Sequence, residues 1–368
     1  MRFALCGGGT GGHVYPALSI ALALRQELEG REPLQLQYLA SRSPADAELI
    51  ARYGIPATRI ASGPVRGRRP WDLALNLGRL AWGFRQAQGV FRRFQPQALL
   101  STGGYASVPI VLAAARARIP IVLYLPDIHP GWAVRLCARY ADRVAVTAKE
   151  ALDKLPKGKG VVTGYPVRPE FGQAQRADGR RLLGIDPEEK VLLVAGASQG
   201  ARHLNEAVAT NLLGLLKLCE VVHLSGRAHE ARLVDVRGGL PLDLRTRYHL
   251  YGYMYDELPL AMAAADLAVC RAGASVMGEL PAIGLPAVLV PYPYAGGHQK
   301  LNARYLERNG AATVVEDEDL QPQFLPLVGS LLSDEPTLRR MAASSRALAR
   351  PQAAANIARL LLEVATPA

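Results

Sequence analysis

Twice in this chain a short apolar run ends in glycine and other small residues and passes directly into a longer apolar-periodic segment. The first run is Arg2-Phe3-Ala4-Leu5-Cys6, followed by Gly7-Gly8-Gly9-Thr10-Gly11-Gly12-His13. The second is 190–195, followed by Gly196-Ala197-Ser198-Gln199-Gly200-Ala201. An apolar run of strand length without polar alternation is the pattern of a parallel strand buried on both faces. A glycine-rich turn lets the next helix begin close behind such a strand. The two openings therefore predict two Rossmann-like domains. Further strands are predicted at 34–40, 98–101, 119–123 and 143–147, then at 220–224, 248–251, 267–270 and 286–290. Prolines and a glycine interrupt the alternation across 160–171, which suits a linker. The expected fold class is α/β with two doubly wound domains, 1–165 and 166–349. A last helix near 350–368 is expected to return to the first domain. Ligands should sit at the carboxyl ends of the strands. The first helix is expected from about Pro16, where a missing N–H costs nothing.

With 368 residues, 49% of them apolar, the chain can bury two cores. Cys6, Cys137, Cys219 and Cys270 form no CxxC pair, as expected of free thiols in a reducing compartment. The opening residues start a strand rather than a leader. The uncharged run 280–297 is too broken by Pro281, Pro286, Pro291 and Pro293 to cross a bilayer as a helix. A soluble, cytoplasmic chain is expected. The net charge of +11 calls for an anionic partner. Zinc-finger spacing, an aromatic RNA-binding signature and a basic tail are all missing, so nucleic acid is not expected. Much of the charge lies in Arg66, Arg68, Arg69, Arg79, Arg85, Arg92 and Arg93. These interleave with Trp71, Leu73, Leu77, Leu80, Trp82, Phe84 and Phe91. The stretch reads as a patch for an anionic membrane surface, or else as an amphipathic helix with a core stripe and solvated arginines.

Gly7, Gly9 and Gly12 satisfy the dinucleotide pattern GxGxxG. That site needs a carboxylate closing the second strand, and Ser41-Arg42 stand there instead. The segment 267–302 is more informative. Its strand leads into Arg271-Ala272-Gly273-Ala274-Ser275, whose small side chains should leave the first N–H groups of a helix open to phosphate. Glu279, one turn further on, is placed to accept hydrogen bonds from a sugar diol. A second strand then delivers a loop ending in His298-Gln299-Lys300-Leu301-Asn302. The plainer reading of the segment is a strand–helix–strand unit with ordinary turns.

Taken together, GGTGGHVYPAL (8–18), TGGYAS (102–107), GYPVR (164–168), ASQGA (197–201), residues 271–279 and HQKLNA (298–303) resemble the MurG family. That family has the GT-B architecture, two Rossmann-like domains facing across a cleft. It transfers N-acetylglucosamine (GlcNAc) from UDP-GlcNAc to lipid I, making lipid II for peptidoglycan. The resemblance implies that Thr10, Gly11 and Gly12 face the transferred sugar and the acceptor pyrophosphate, with His13 beside them. It implies that Arg168 reaches the donor, that Ser198 and Gln199 lie at UDP, and that Met254 and Tyr255 border the uracil. Ala274, Ser275 and Glu279 would hold the phosphates and ribose, with His298, Gln299 and Asn302 on the donor side as well. Gly103, Gly104, Tyr105 and Asp127 would face the acceptor.

The family usually shows His-Glu-Gln-Asn after the 119–123 strand, and this chain has Tyr124-Leu125-Pro126-Asp127. With Leu125 in place of a carboxylate, His13 is the expected base and Asp127 the reserve. Helix N-termini and Arg168 would meet the leaving-group charge, so no cofactor or divalent ion is expected. The one DxD triplet, Asp317-Glu318-Asp319, reads as a solvated helix start. The implied partners are UDP-GlcNAc, a lipid-linked pyrophosphoryl acceptor and an anionic membrane surface, at the cytoplasmic face of the bacterial plasma membrane. A UDP-GlcNAc 2-epimerase-like isomerase, or a transferase acting on another lipid or a small aglycone, is the alternative.

Overall fold

The structure, a computed structural model, describes the chain except residues 9, 10, 42, 64–69, 197–200, 295 and 367–368. Thirteen strands among the described residues form two sheets, in which every paired register is parallel. The first sheet contains β1 (Arg2–Cys6), β2 (Gln35–Ala40), β3 (Ala57–Arg59), β4 (Ala98–Ser101), β5 (Ile121–Leu125), β6 (Arg143–Val146) and β7 (Gly160–Val162), in the order β3-β2-β1-β4-β5-β6-β7. The second contains β8 (Val191–Ala195), β9 (Glu220–Leu224), β10 (Tyr248–Tyr251), β11 (Leu267–Cys270), β12 (Ala287–Leu289) and β13 (Ala312–Val314), ordered β10-β9-β8-β11-β12-β13. In both sheets the order reverses beside the first strand, between β1 and β4 and between β8 and β11. A doubly wound sheet opens a crevice at that switch point, at the carboxyl ends of its strands.

Contacts divide the chain into one unit of Met1–Arg168 with Arg350–Ala368 and another of Pro169–Ala349. In the first unit Leu99, Leu123 and Val146 pack with Ile110, Val134 and Phe91. In the second, Leu192, Val221 and Val269 pack with Leu204, Leu215 and Phe324. The last helix, Ala353–Ala365, lies against the first helix, Gly11–Leu28, and Arg359 pairs with Glu27 at 2.8 Å.

Three expectations about local structure are corrected. The first helix begins at Gly11, not near Pro16, which stands inside it. Having no N–H, Pro16 cannot donate to the Gly12 carbonyl, so the helix carries that missing bond in its second turn. β5 starts at Ile121, since Pro120 has no amide for the ladder, and runs to Leu125 because its pairing with β6 continues to Leu125 opposite Val146. The Pro120 carbonyl accepts from Leu99 N at 2.8 Å, and the strand proper starts at Ile121. Tyr124 and Leu125 are therefore strand residues, in register with Ala145 and Val146. The three-residue strands β3, β7 and β13 were not predicted, being too short to show a periodicity.

The helix Pro70–Phe94 turns Ala87, Val90 and Phe91 into the core. Phe91 is thus a core residue and not part of an exposed patch. Leu75, Leu77 and Trp82 point outward at 62%, 51% and 56% exposure, with Arg79 and Arg85 exposed beside them. Arg66, Arg68 and Arg69, and the side chains of Trp71 and Leu73, lie outside the described residues. Among the described residues no helix is long and apolar enough to cross a membrane.

Candidate active site

In the first unit, the switch point is built by the loop after β1 and the loop after β4. Thr102 joins them. Its hydroxyl donates to the His13 carbonyl at 2.6 Å, and its own carbonyl lies 2.7 Å from His13 Nδ1. A carbonyl can only accept, so a neutral His13 carries its hydrogen on Nδ1 and leaves the Nε2 lone pair available. The half-buried ring rests against Gly103 and Gly104. A Cβ at Gly104 would come within 2.6 Å of the Gly8 carbonyl oxygen, and its φ is +85°, so only glycine brings the two loops this close. Ser107 donates to the Gly103 carbonyl at 2.6 Å and fixes the start of the helix Ser107–Arg116. Tyr105 is exposed at the tip of this loop, its ring 5.9 Å from that of Trp132.

The residues that replace the family's usual run are placed deeper. Tyr124 and Leu125 are fully buried, and the Tyr124 hydroxyl lies 2.8 Å from Thr147 Oγ1. Burial pushes the Tyr124 phenol well above its ordinary range. Neither residue can move a proton at a substrate. Asp127 is half-buried in the loop beyond them. Arg168 closes the first unit, buried, with its guanidinium 4.8 Å from the centre of the Tyr15 ring. Gly12 stands in the first turn of the helix that carries His13. Gly11 lies in the same turn, and Thr10 lies outside the described residues.

In the second unit the switch point lies between the loops after β8 and β11. Ser198 and Gln199 fall outside the described residues. After β11, the amides of Val276, Met277 and Gly278 donate to the carbonyls of Gly273, Ala274 and Ser275 at 3.2, 3.1 and 3.0 Å. The helix Val276–Ile283 is thus tightened at its nose. Its leading N–H groups are those of Gly273, Ala274 and Ser275, within the small-residue turn that leads into the helix. Glu279 sits half-buried in the first full turn, and Gly284 ends the helix in the left-handed conformation, φ +74°.

Gln299 accepts from the Tyr292 amide at 2.9 Å, and His298 begins the helix His298–Arg308. Asn302 differs from expectation. It is fully buried and donates to the Ala272 carbonyl at 3.2 Å, so it braces the loop from behind and does not face a ligand. After β10, Met254 is buried and Tyr255 half-buried. The Tyr255 hydroxyl accepts from Arg227 at 3.3 Å. Asp317, expected to be solvated, has a side chain only 8% exposed and paired with Arg271 and His203. Among the described residues, no group of three or more His, Cys, Asp and Glu side chains converges as metal ligands would.

Residues 3–146 match the glycosyltransferase family 28 N-terminal domain, and residues 191–357 match the family 28 C-terminal domain. The chain belongs to glycosyltransferase family 28. Within the family it stands with the MurG enzymes. A protein of Roseiflexus sp. (strain RS-1) is 40% identical over 416 residues, covering 98% of this chain and 94% of its own length. One of Moorella thermoacetica is 41% identical over 372 residues, covering 99% of each chain. Both are named as UDP-N-acetylglucosamine–N-acetylmuramyl-(pentapeptide) pyrophosphoryl-undecaprenol N-acetylglucosamine transferases. Among solved structures, Acinetobacter baumannii MurG superposes with a TM-score of 0.75 at 24% identity, covering 98% of this chain and 99% of its own. A UDP-GlcNAc 2-epimerase of Neisseria meningitidis reaches 0.69 at 14% identity over 99% and 100%. These two likenesses establish the GT-B fold, which family 28 enzymes share with the epimerases.

Two residues of this family 28 site were not singled out from sequence. Thr102 stands inside the TGGYAS motif, but its grip on His13 depends on β1 and β4 being neighbours. Thr147 acts on Tyr124, distant in sequence, and nothing local distinguishes it.

Proposed function

We infer that this chain is the transferase that joins GlcNAc from UDP-GlcNAc to the C4 hydroxyl of the N-acetylmuramyl sugar of pyrophosphoryl-undecaprenol-linked lipid I, forming lipid II. The observation that carries the reading is its 40% identity, across 98% of the chain, to a relative named for that reaction. The placement of its glycine loops at both switch points supports it. In the mechanism, His13 Nε2 takes the proton of the acceptor hydroxyl as that oxygen attacks C1 of GlcNAc. UDP leaves from the opposite face, and the anomeric centre inverts. Thr102 holds the ring in the tautomer this needs. The leading amides of residues 273–275 receive the departing phosphates, and Glu279 receives the ribose hydroxyls. No metal or cofactor is required. Asp127 is the reserve base.

Leu75, Leu77 and Trp82, flanked by Arg79 and Arg85, rest on an anionic membrane at its cytoplasmic face, where a lipid-linked acceptor is presented. Incubation with UDP-GlcNAc and a lipid I analogue tests the reaction. UDP release should require the analogue. UDP-GlcNAc turnover without acceptor would favour the epimerase alternative, and turnover only with another lipid or aglycone would favour a different acceptor.

A further inference from the structure

The acidic segment after β13 is not a solvated helix start. The Asp317 side chain is 8% exposed, and each of its carboxylate oxygens has a partner. Oδ1 accepts from the Arg271 guanidinium, which is itself 8% exposed. Oδ2 lies 2.5 Å from His203 Nδ1. Arg271 also donates to the Val290 carbonyl at 3.2 Å, and its guanidinium stands 5.5 Å from the centre of the Tyr292 ring. Next to Asp317, Glu316 is held by Lys300 at 2.8 Å and Arg304 at 3.3 Å.

The partners come from separate places. Arg271 follows β11 directly and opens the loop that leads to the helix Val276–Ile283. His203 stands in the first turn of the helix Arg202–Leu216, which follows β8. Val290 follows β12, and Asp317 follows β13. In sheet order β8-β11-β12-β13, one buried carboxylate therefore ties together the carboxyl ends of four adjacent strands. It links the first turn of the helix Arg202–Leu216 to the loop that leads into the helix Val276–Ile283, and the N-termini of these two helices flank the switch point. A buried, fully paired carboxylate between two such helices fixes their spacing. Removing its charge leaves a guanidinium buried without a counterion.

We propose that Asp317 is a positioning residue for donor binding, acting through Arg271 and His203 to set the spacing of the two helix N-termini that receive the UDP diphosphate. This rests on the donor-site reading given above. Because Arg271 is neutralised inside the unit, it serves as a brace and not as a phosphate ligand. The diphosphate is already charged when bound and gains further charge as UDP leaves, so loss of the spacing weakens UDP, raises KM for the donor and also lowers kcat. His203 works only through Asp317, so the two should not act independently.

The test measures UDP binding by calorimetry and donor kinetics for the full chain, with Asp317→Asn, His203→Ala and the double variant. Asp317→Asn should raise the UDP Kd and the donor KM together by at least about 10-fold, with a fall in kcat beside them. His203→Ala should raise both by about 3-fold, and the double variant should be no worse than Asp317→Asn alone. Additive losses, or a kcat loss with KM unchanged, would overturn the proposal. So would wild-type UDP affinity in Asp317→Asn. Should Asp317→Asn not fold, His203→Ala decides, since its site is 61% exposed and tolerates truncation. An unchanged UDP Kd there would overturn the linkage. Failure of the wild-type chain to bind UDP at all would instead refute the donor-site reading itself.

Discussion

Replacing His13 with alanine removes the group that the first unit is arranged to present. The ring is fixed by the 2.7 Å contact of Nδ1 with the Thr102 carbonyl, and the main chain behind it by the 2.6 Å bond from the Thr102 hydroxyl. The Nδ1 contact leaves Nε2 as the accepting nitrogen. General-base removal typically costs about 10²–10⁴-fold, so His13→Ala should lower kcat by at least about 10²-fold. Thr102→Val keeps the carbonyl but deletes the hydroxyl bond, worth about 0.5–1.5 kcal/mol, and should lower kcat by roughly 2- to 12-fold. Asp127→Asn should change kcat by less than about 5-fold if His13 is the base. Steady-state transfer to a lipid I analogue reads all three, and calorimetry with UDP checks that each variant still binds the leaving group. Near-inactive Asp127→Asn beside an active His13→Ala would refute the reasoning. It would make Asp127 the base and His13 a positioning residue.

Glu279→Ala should weaken UDP and UDP-GlcNAc alike by about 10- to 150-fold, the equivalent of 1.5–3 kcal/mol for hydrogen bonds to a charged group; unchanged UDP affinity by calorimetry would remove Glu279 from the ribose. Leu75→Ser with Trp82→Ser should abolish sedimentation with anionic vesicles while leaving Tm unchanged, since both side chains are exposed; retained binding would place the membrane contact elsewhere. The buried His223 lies between Tyr248 at 2.8 Å and Asn205 at 3.0 Å, and desolvation pushes its imidazole down to about 3. The unfolded chain binds a proton there below about pH 6.5 and the folded chain does not, so stability should fall as pH drops from 6.5 toward 3. The slope is up to about 1.4 kcal/mol per pH unit from this residue, and acid titration of denaturant midpoints should show it flattened in His223→Gln.

The architecture was legible because buried parallel strands carry unbroken apolar runs, and glycine marks the turns where loops meet. β1, β4, β9, β10 and β11 were placed at their observed bounds on that ground. The run at 119–123 was set two residues early because an isoleucine before a proline looks like strand, while the missing amide of Pro120 shifts the ladder to Ile121. The continued pairing with β6 matters for the chemistry, since it makes Tyr124 and Leu125 buried strand residues. The donor helix is legible from Gly273 and Glu279, whereas the closing of its nose by the amides of Val276, Met277 and Gly278 is not. Asn302 was carried over with its motif, and only packing reveals that it faces the loop from behind. Asp317 misled for a different reason. A run of four acidic residues reads as solvent-exposed unless the buried guanidinium beneath it is known.

The most direct test of the central claim is the product itself. Purified chain, UDP-GlcNAc and a lipid I analogue should yield an acceptor heavier by one N-acetylhexosamine. Its new linkage should be β by the anomeric proton coupling, because one displacement inverts the α-linked donor. An α linkage, or accumulation of the C2 epimer of the donor with no acceptor present, would contradict the account.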